Sequence, residues 1–240
     1  MAAGAPIPNE IIDLGVVITA DTPKQFWGTR FLQDMGFDDL NSFDVINWEF
    51  GPVNGSNAYY TLFNHGGPHV DAPNHVGVGP GLDAYPIESF TGPLKVFDVS
   101  HLDSGRSVTL EMLRDVPINA GDIVIMYTHY TAPESESELP DNIALTYEAA
   151  EYLATIPIRA FGTDAFSVAS LTDQTPVESD NRVIQAIPAH HALLSRGIPA
   201  YEQLVNVDKL LSKQNMYFVG VPLNIKDGDG MVVRPVVFIY

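Results

Sequence analysis

The 240-residue chain contains no cysteine, which removes disulfide staples and thiol nucleophiles and leaves stability to a packed core. At this length roughly 70 to 75% of the unfolded surface can be buried, so no staple is needed. Positive charge is scarce: 12 Lys and Arg stand against 30 Asp and Glu, for a net charge of −18. The acidic residues are spread along the chain rather than gathered in a tail. A phosphate backbone would be repelled with no basic patch to offset it, so nucleic acid is not expected as a partner. Long apolar runs are missing too, none approaching the roughly 18 to 20 residues that span a bilayer. Met1 to Pro8 carries no cation, the first being Lys24; the expectation is a cytoplasmic protein without membrane association. No low-complexity stretch or charged linker divides the sequence, and a single domain over residues 1–240 is expected.

Histidine is what the chain concentrates. Three of its seven histidines, His65, His69 and His75, fall with Asp71 inside eleven residues. A lone histidine among glycines would be a solvated loop residue, but four such groups together form a metal-site pattern. Imidazole nitrogen with carboxylate oxygen suits Zn²⁺, Mn²⁺ or Fe²⁺, and the missing thiolate argues against a structural zinc cluster. His65 and His69 are four apart, yet Gly66, Gly67 and Pro68 between them oppose a helix and predict a turn or loop. His69 and Asp71 are two apart, so an extended segment turns both to one side. Pro73 and His75 keep that parity, which puts His75 beside the metal without making it a ligand.

Along the rest of the chain, Ile11 to Ile18 reads as a first strand. Asp21 to Tyr60 is aromatic-rich and poorly periodic. It reads as core and inter-subunit packing, or as an apolar wall over the metal. Leu94 to Val99 is a short strand, followed by His101, which has no neighbour at ligand spacing and reads as a surface residue. Thr109 to Val116 has helix character with Thr109 as a cap. Ile123 to Tyr127 reads as a central strand whose end carries His129, where α/β folds place ligand contacts. Residues 131–142 form a solvated acidic loop, Thr146 caps a helix over Tyr147 to Ala154, and Ile158 to Phe161 is another strand. Leu193 and Leu194 mark a buried helix that Gly197 can end in the left-handed conformation. A short strand after it can return Glu202 towards His190 or His191, adjacent histidines that spacing alone does not separate. Met216 to Val221 and Val236 to Tyr240 are apolar strands around a Gly228-Asp-Gly230 turn.

His65-x-Gly67-x-His69-x-Asp71-x-Pro73-x-His75 resembles the His-x-Gly-Thr-His-x-Asp-x-Pro-x-His motif of the cyclase family of metal-dependent hydrolases, which includes bacterial kynurenine formamidase and isatin hydrolase. Pro68 replaces the family's Thr, removing a hydroxyl and a backbone N–H. Gly162-Thr-Asp164-Ala-Phe-Ser167 is similar to a Gly-x-Asp-x-x-Ser segment of the family, although Ala169 stands where an Asp is common. No Gly-x-Ser-x-Gly elbow surrounds Ser167, which argues against a serine hydrolase. The Ala189 to Glu202 stretch resembles the family's distal ligand segment, and that alignment selects His190 over His191. The Gly-Asp-Gly and Arg234 resemble its C-terminal segment and support the alignment rather than any chemistry.

The resemblance implies an α/β domain with a mixed β-sheet core and flanking helices, of the swivelling β/β/α type, assembled as a homodimer or homotetramer. It implies a divalent metal, Zn or Mn, as one ion or two. His65, His69 and Asp71 would hold the first ion; His190 and Glu202 would complete a second that Asp71 bridges, or would position water or substrate. His75 is the candidate catalytic proton shuttle. Phe26 and Trp27, with His129, are the candidate substrate contacts. The implied reaction is hydrolysis of a small amide, formamide, cyclic amide or lactone. A metal-binding scaffold or sensor without turnover is the alternative, with Pro68 and Ala169 its only hints.

Overall fold

The computed structural model describes residues 6–37, 40–134, 138, 140–170 and 182–240. In chain order the strands and helices are β1 (Glu10–Asp13), α1 (Thr22–Trp27), α2 (Thr29–Asp34), β2 (Ser42–Phe50), β3 (Val53–Thr61), β4 (His69–Asp71), β5 (Thr91–Asp98), β6 (Ser107–Val108), α3 (Leu110–Arg114), β7 (Ile123–Tyr127), β8 (Ala144–Leu145), α4 (Tyr147–Thr155), β9 (Ala160–Thr163), α5 (Arg182–Ala186), α6 (Pro188–Leu194), β10 (Ala200–Glu202), β11 (Met216–Val219), β12 (Gly230–Val232) and β13 (Val236–Ile239). Nine strands form one mixed sheet in the order β1-β13-β11-β5-β7-β9-β10-β4-β12. Its centre, β5-β7-β9-β10, is parallel, and its flanks are antiparallel. The fold is therefore of the α/β class, with a mixed sheet core.

The central strand β7 is buried throughout, as its unbroken apolar run predicts. Side-chain alternation divides its residues between two cores. Val124 and Met126 face α4 and α6 with Leu153, Phe161, Ala192 and Leu193. Ile123, Ile125 and Tyr127 face the opposite core with Val70, Tyr201, Phe218 and Val237. Thr146 caps α4 by accepting from the backbone N–H of Ala149 at 3.1 Å. Thr109 stands at the start of α3 without a side-chain cap, unlike the expectation.

Several strands depart from the sequence reading; β5 begins at Thr91 rather than Leu94 and β11 ends at Val219 rather than Val221. β1 stops at Asp13 because the Asp13 carboxylate accepts the N–H of Gly15 at 3.0 Å and turns the chain. β9 starts at Ala160 because Ile158 closes a tight turn onto the Ile156 carbonyl. The aromatic stretch also divides. Trp27 packs with Phe31, Phe63 and Phe166, whereas residues 42–61 form the separate hairpin β2–β3, which is not core. Along it Phe43, Val45, Ile46, Trp48, Phe50, Val53, Tyr59 and Tyr60 are all exposed. Of the acidic loop, Glu134 and Glu138 are exposed, while 135–137 and 139 lie outside the described residues. His101 is exposed.

Candidate metal centre

Strand parity builds the centre. Val70 of β4 points into the core shared with Tyr201, so His69 and Asp71 must turn to the other face, towards α6. There β10 sets Glu202 opposite His69, and β12 sets Gly230 opposite Asp71. Pro188 opens α6 at its first position, where no N–H is needed. Ala189, Ala192, Leu193 and Leu194 bury the helix and carry His190 in with them. Gly197, at φ +75°, ends that segment in the left-handed conformation and lets the chain re-enter as β10.

His65 comes from the loop before β4. Gly67 has φ +105°, which only glycine adopts without strain. The Gly67 N–H donates to Gln203 Oε1 at 2.8 Å. The His65 carbonyl accepts from Trp27 Nε1 at 3.0 Å and Gln203 Nε2 at 3.2 Å. The Pro68 carbonyl accepts from the Val233 N–H at 2.8 Å, so the turn is held although residue 68 has no donor of its own.

Asp71 is the hub. Its Oδ1 lies 2.9 Å from His65 Nδ1 and 3.3 Å from His69 Nε2, and its Oδ2 lies 3.5 Å from His190 Nε2. Glu202 Oε1 is 2.9 Å from His190 Nε2, and Oε2 is 3.5 Å from His69 Nε2. His65, His69, Asp71, His190 and Glu202 are all buried. Nevertheless both Asp71 oxygens and His69 Nε2 are left without a hydrogen bond of proper geometry, an arrangement costly for buried polar atoms. The Gly67 carbonyl accepts a hydrogen bond from His69 Nδ1–H at 2.8 Å, so Nε2 is the nitrogen turned to bind a cation. Two triads, His65-Asp71-His75 and His69-Asp71-Glu202, each bring ligand atoms within 4.8 Å of one another and share Asp71. The donor set and the orphaned atoms fit a divalent cation.

Residues 12–170 match the family described as "Putative cyclase". The chain belongs to the cyclase family. A kynurenine formamidase of Salinibacter ruber (strain DSM 13855 / M31) is 33% identical over 73% of this chain and 76% of its own length. A kynurenine formamidase of Bacillus cereus (strain ATCC 10987 / NRS 248) is 29% identical over 80% of this chain and 85% of its own. An isatin hydrolase bound to the product analogue thioisatinate superposes with a TM-score of 0.73 at 22% identity, covering 96% of this chain and 92% of that one. The last likeness shows the shared fold. As a cyclase-family protein the chain is a metal-dependent hydrolase, and these relatives give no support to the scaffold or sensor alternative.

In this cyclase-family centre the charges are balanced by pairing. Burial opposes the imidazolium of His69, but Asp71 and Glu202 outweigh it and raise its pKa to about 10. Burial likewise opposes His190, which Glu202 and Asp71 push up to about 9. Burial also disfavours charge on His65, yet Asp71 and Asp229 raise it. Burial opposes the Glu202 carboxylate too, but His190 and His69 bring it down to about 2. A cation must therefore displace protons to enter. His75 differs: burial dominates, and its pKa is lowered.

The remaining predicted residues lie around this core. The His75 side chain is 27% exposed at the mouth, its ring 4.5 Å from that of His65 and 5.7 Å from that of His190. Trp27 supports the loop through its indole N–H. Phe26 and His129 line a different cavity, of about 410 Å³, with Tyr127, Tyr130, Asp164 and Asn206. None of the five buried centre residues lines it. His129 has φ +58°, and its Nδ1 pairs with the Tyr127 hydroxyl at 2.7 Å. Asp164 accepts from Thr128 and Tyr130, and the Ser167 hydroxyl accepts from the Ala169 N–H at 3.1 Å.

Sequence reasoning missed Asn64, Gln203 and Asp229. Gln203 follows Glu202 directly, and its φ of +60° turns the side chain under the histidine loop. Asp229 read as an ordinary turn; its resemblance to the family's C-terminal segment was the one available signal.

Proposed function

We propose that this cyclase-family hydrolase cleaves the carbonyl–nitrogen bond of a small formamide, amide or cyclic amide, or the carbonyl–oxygen bond of a lactone, with water as nucleophile. The observation that carries this reading is the pair of buried, unpartnered Asp71 oxygens ringed by three imidazoles and a second carboxylate. The names of the relatives favour a formamide or cyclic amide. His65, His69 and Asp71 would hold one ion, Zn or Mn; His190 and Glu202, which also surround Asp71, would help to hold a second or, with one ion, would position water or substrate. Bound there, a divalent cation supplies Lewis-acid polarisation of the scissile carbonyl and a lowered pKa for the attacking water. His75 moves the proton. Its ring, beside those of His65 and His190, would accept a proton from the attacking water and return it to the leaving group. Phe26, Trp27 and His129 are the substrate contacts of this reading; of the three, Trp27 is tied directly to the metal segment, through its bond to the His65 carbonyl.

The reading extends to a single cytoplasmic domain acting on a small molecule and working as a homodimer or homotetramer. A two-stranded hairpin alone is marginal in water. The exposed aromatic and β-branched residues of β2–β3 are best covered by another copy of the chain. Among the described residues no helix is long and apolar enough to cross a membrane.

The deciding experiment measures proton release from a panel of aryl formamides, cyclic amides and lactones, with protein stripped of metal and then reloaded with Zn²⁺ or Mn²⁺. Turnover restored by either ion is the expected result. Full turnover by the stripped protein, or none by the reloaded protein on any substrate, would overturn it.

A further inference from the structure

Asp229 touches two of the histidines from outside the motif. Its Oδ2 lies 3.2 Å from His65 Nε2 and 3.6 Å from His75 Nδ1. Its Oδ1 accepts from Asn64 Nδ2 at 2.8 Å, and the same amide reaches the Gly230 carbonyl at 3.2 Å. The Asp229 carbonyl accepts from the Ala72 N–H at 2.9 Å. Backbone and side chain are thus both fixed against the histidine segment. Gly230 completes the fit: a Cβ there would come within 2.4 Å of His65 Cε1, so residue 230 must be glycine for the ring to lie where it does.

This geometry settles which His65 nitrogen faces the centre. Nδ1 is the atom beside Asp71 Oδ1, at 2.9 Å, and Nε2 is directed at Asp229. An imidazole that donates one N–H to a carboxylate presents its other nitrogen as a defined lone pair and cannot rotate freely.

We infer that Asp229 is a positioning residue of the metal centre: it accepts the hydrogen bond of the His65 Nε2–H and so commits Nδ1 to the metal. The inference rests on the metal-centre reading above. It adds a residue that neither triad contains, drawn from a segment more than 150 positions from the motif.

The test compares wild-type protein with Asp229→Ala and Asp229→Asn, each stripped and titrated with Zn²⁺ against a chromophoric chelator. Histidine ring nitrogens are read by ¹⁵N NMR in the Zn²⁺-loaded proteins, independently of turnover. Wild type is expected to show His65 bound through Nδ1 with the proton retained on Nε2. Asp229→Ala is expected to bind Zn²⁺ about 10- to 100-fold more weakly, the usual cost of losing a partner behind a ligand, and to lose that single tautomer. Asp229→Asn keeps an acceptor oxygen and is expected to retain the tautomer with a smaller loss. Because Asp229 also pairs with His65 and Asn64 in the stripped protein, thermal melting of each stripped variant is recorded first and the titrations are run well below the lowest midpoint, so that weaker uptake reads metal affinity and not unfolding. Wild-type affinity and an unchanged His65 spectrum in Asp229→Ala would overturn the inference while leaving the metal centre intact. Failure of wild type itself to take up Zn²⁺ would instead overturn the metal reading, and this inference with it.

Discussion

Two antiparallel strand pairs in this molecule carry side chains against expectation, in opposite directions. The β4–β10 pair is three residues long and buries a histidine, an aspartate and a glutamate. The β2–β3 pair is nine residues long and exposes Phe43, Trp48, Phe50 and Tyr60. Both patterns are costly for an isolated chain: buried charge needs a counter-charge, and exposed aromatics need a cover. The first pair meets most of its cost inside the chain, through Asp71, Glu202 and the imidazoles. The second finds no such cover among the described residues. One region thus points to an ion and the other to a macromolecular surface.

That contrast can be broken in three ways. The largest effect is expected at the mouth of the buried region, where His75→Ala should lower turnover by about 10²- to 10⁴-fold, the range for a lost general acid–base group. Metal uptake, measured alongside, should persist; normal turnover would remove the shuttle role. Next comes the exposed region. Replacing Trp48 and Phe50 together by Ser should weaken self-association by about 100-fold, as for buried aromatic anchors, and sedimentation velocity would follow the shift to monomer. Metal binding should be unaffected, and an unchanged association state would show that the hairpin is not the interface.

The smallest effect concerns the charge pairing. His69 is raised from 6.5 to about 10, so its stabilising contribution is complete below pH 6.5 and is lost as pH rises through about 10. Glu202 is depressed from 4.5 to about 2, so its contribution is complete above pH 4.5 and is lost as pH falls through about 2. Stripped protein should therefore melt highest between about pH 4.5 and 6.5 and lose about 2 kcal/mol or more by pH 10. Zn²⁺-loaded protein should gain stability over the same alkaline range, since binding needs deprotonated imidazole. A flat profile for stripped protein would mean that the histidines are not paired with the carboxylates.

Much of the buried region was legible in the sequence because its determinants are local. Gly66-Gly67-Pro68 forbids a helix, the two-residue spacing of His69 and Asp71 fixes their common face, and Gly197 ends the helix that carries His190. Register was not legible. That Glu202 stands opposite His69 and Gly230 opposite Asp71 depends on pairing among three short strands far apart in the chain. Asp229 escaped for that reason, since a Gly-Asp-Gly reads the same in any surface turn. The hairpin escaped for another: its aromatic content suggested packing, and only the tertiary structure shows residues 42–61 standing apart from the sheet.

The order of the strands also sets a schedule. β4, β10 and β12 lie side by side at one edge of the sheet, yet they come from residues 69–71, 200–202 and 230–232. Such long-range pairings form late, after the chain has paid for closing large loops. During synthesis the histidine loop is made early but has no Glu202 beside it and no Gly230 against its ring until residues 200–232 have emerged. The full ring of side chains around Asp71 is thereby completed only when β10 and β12 dock, and a chain cut before residue 200 would keep the histidine loop but lack Glu202 and Gly230.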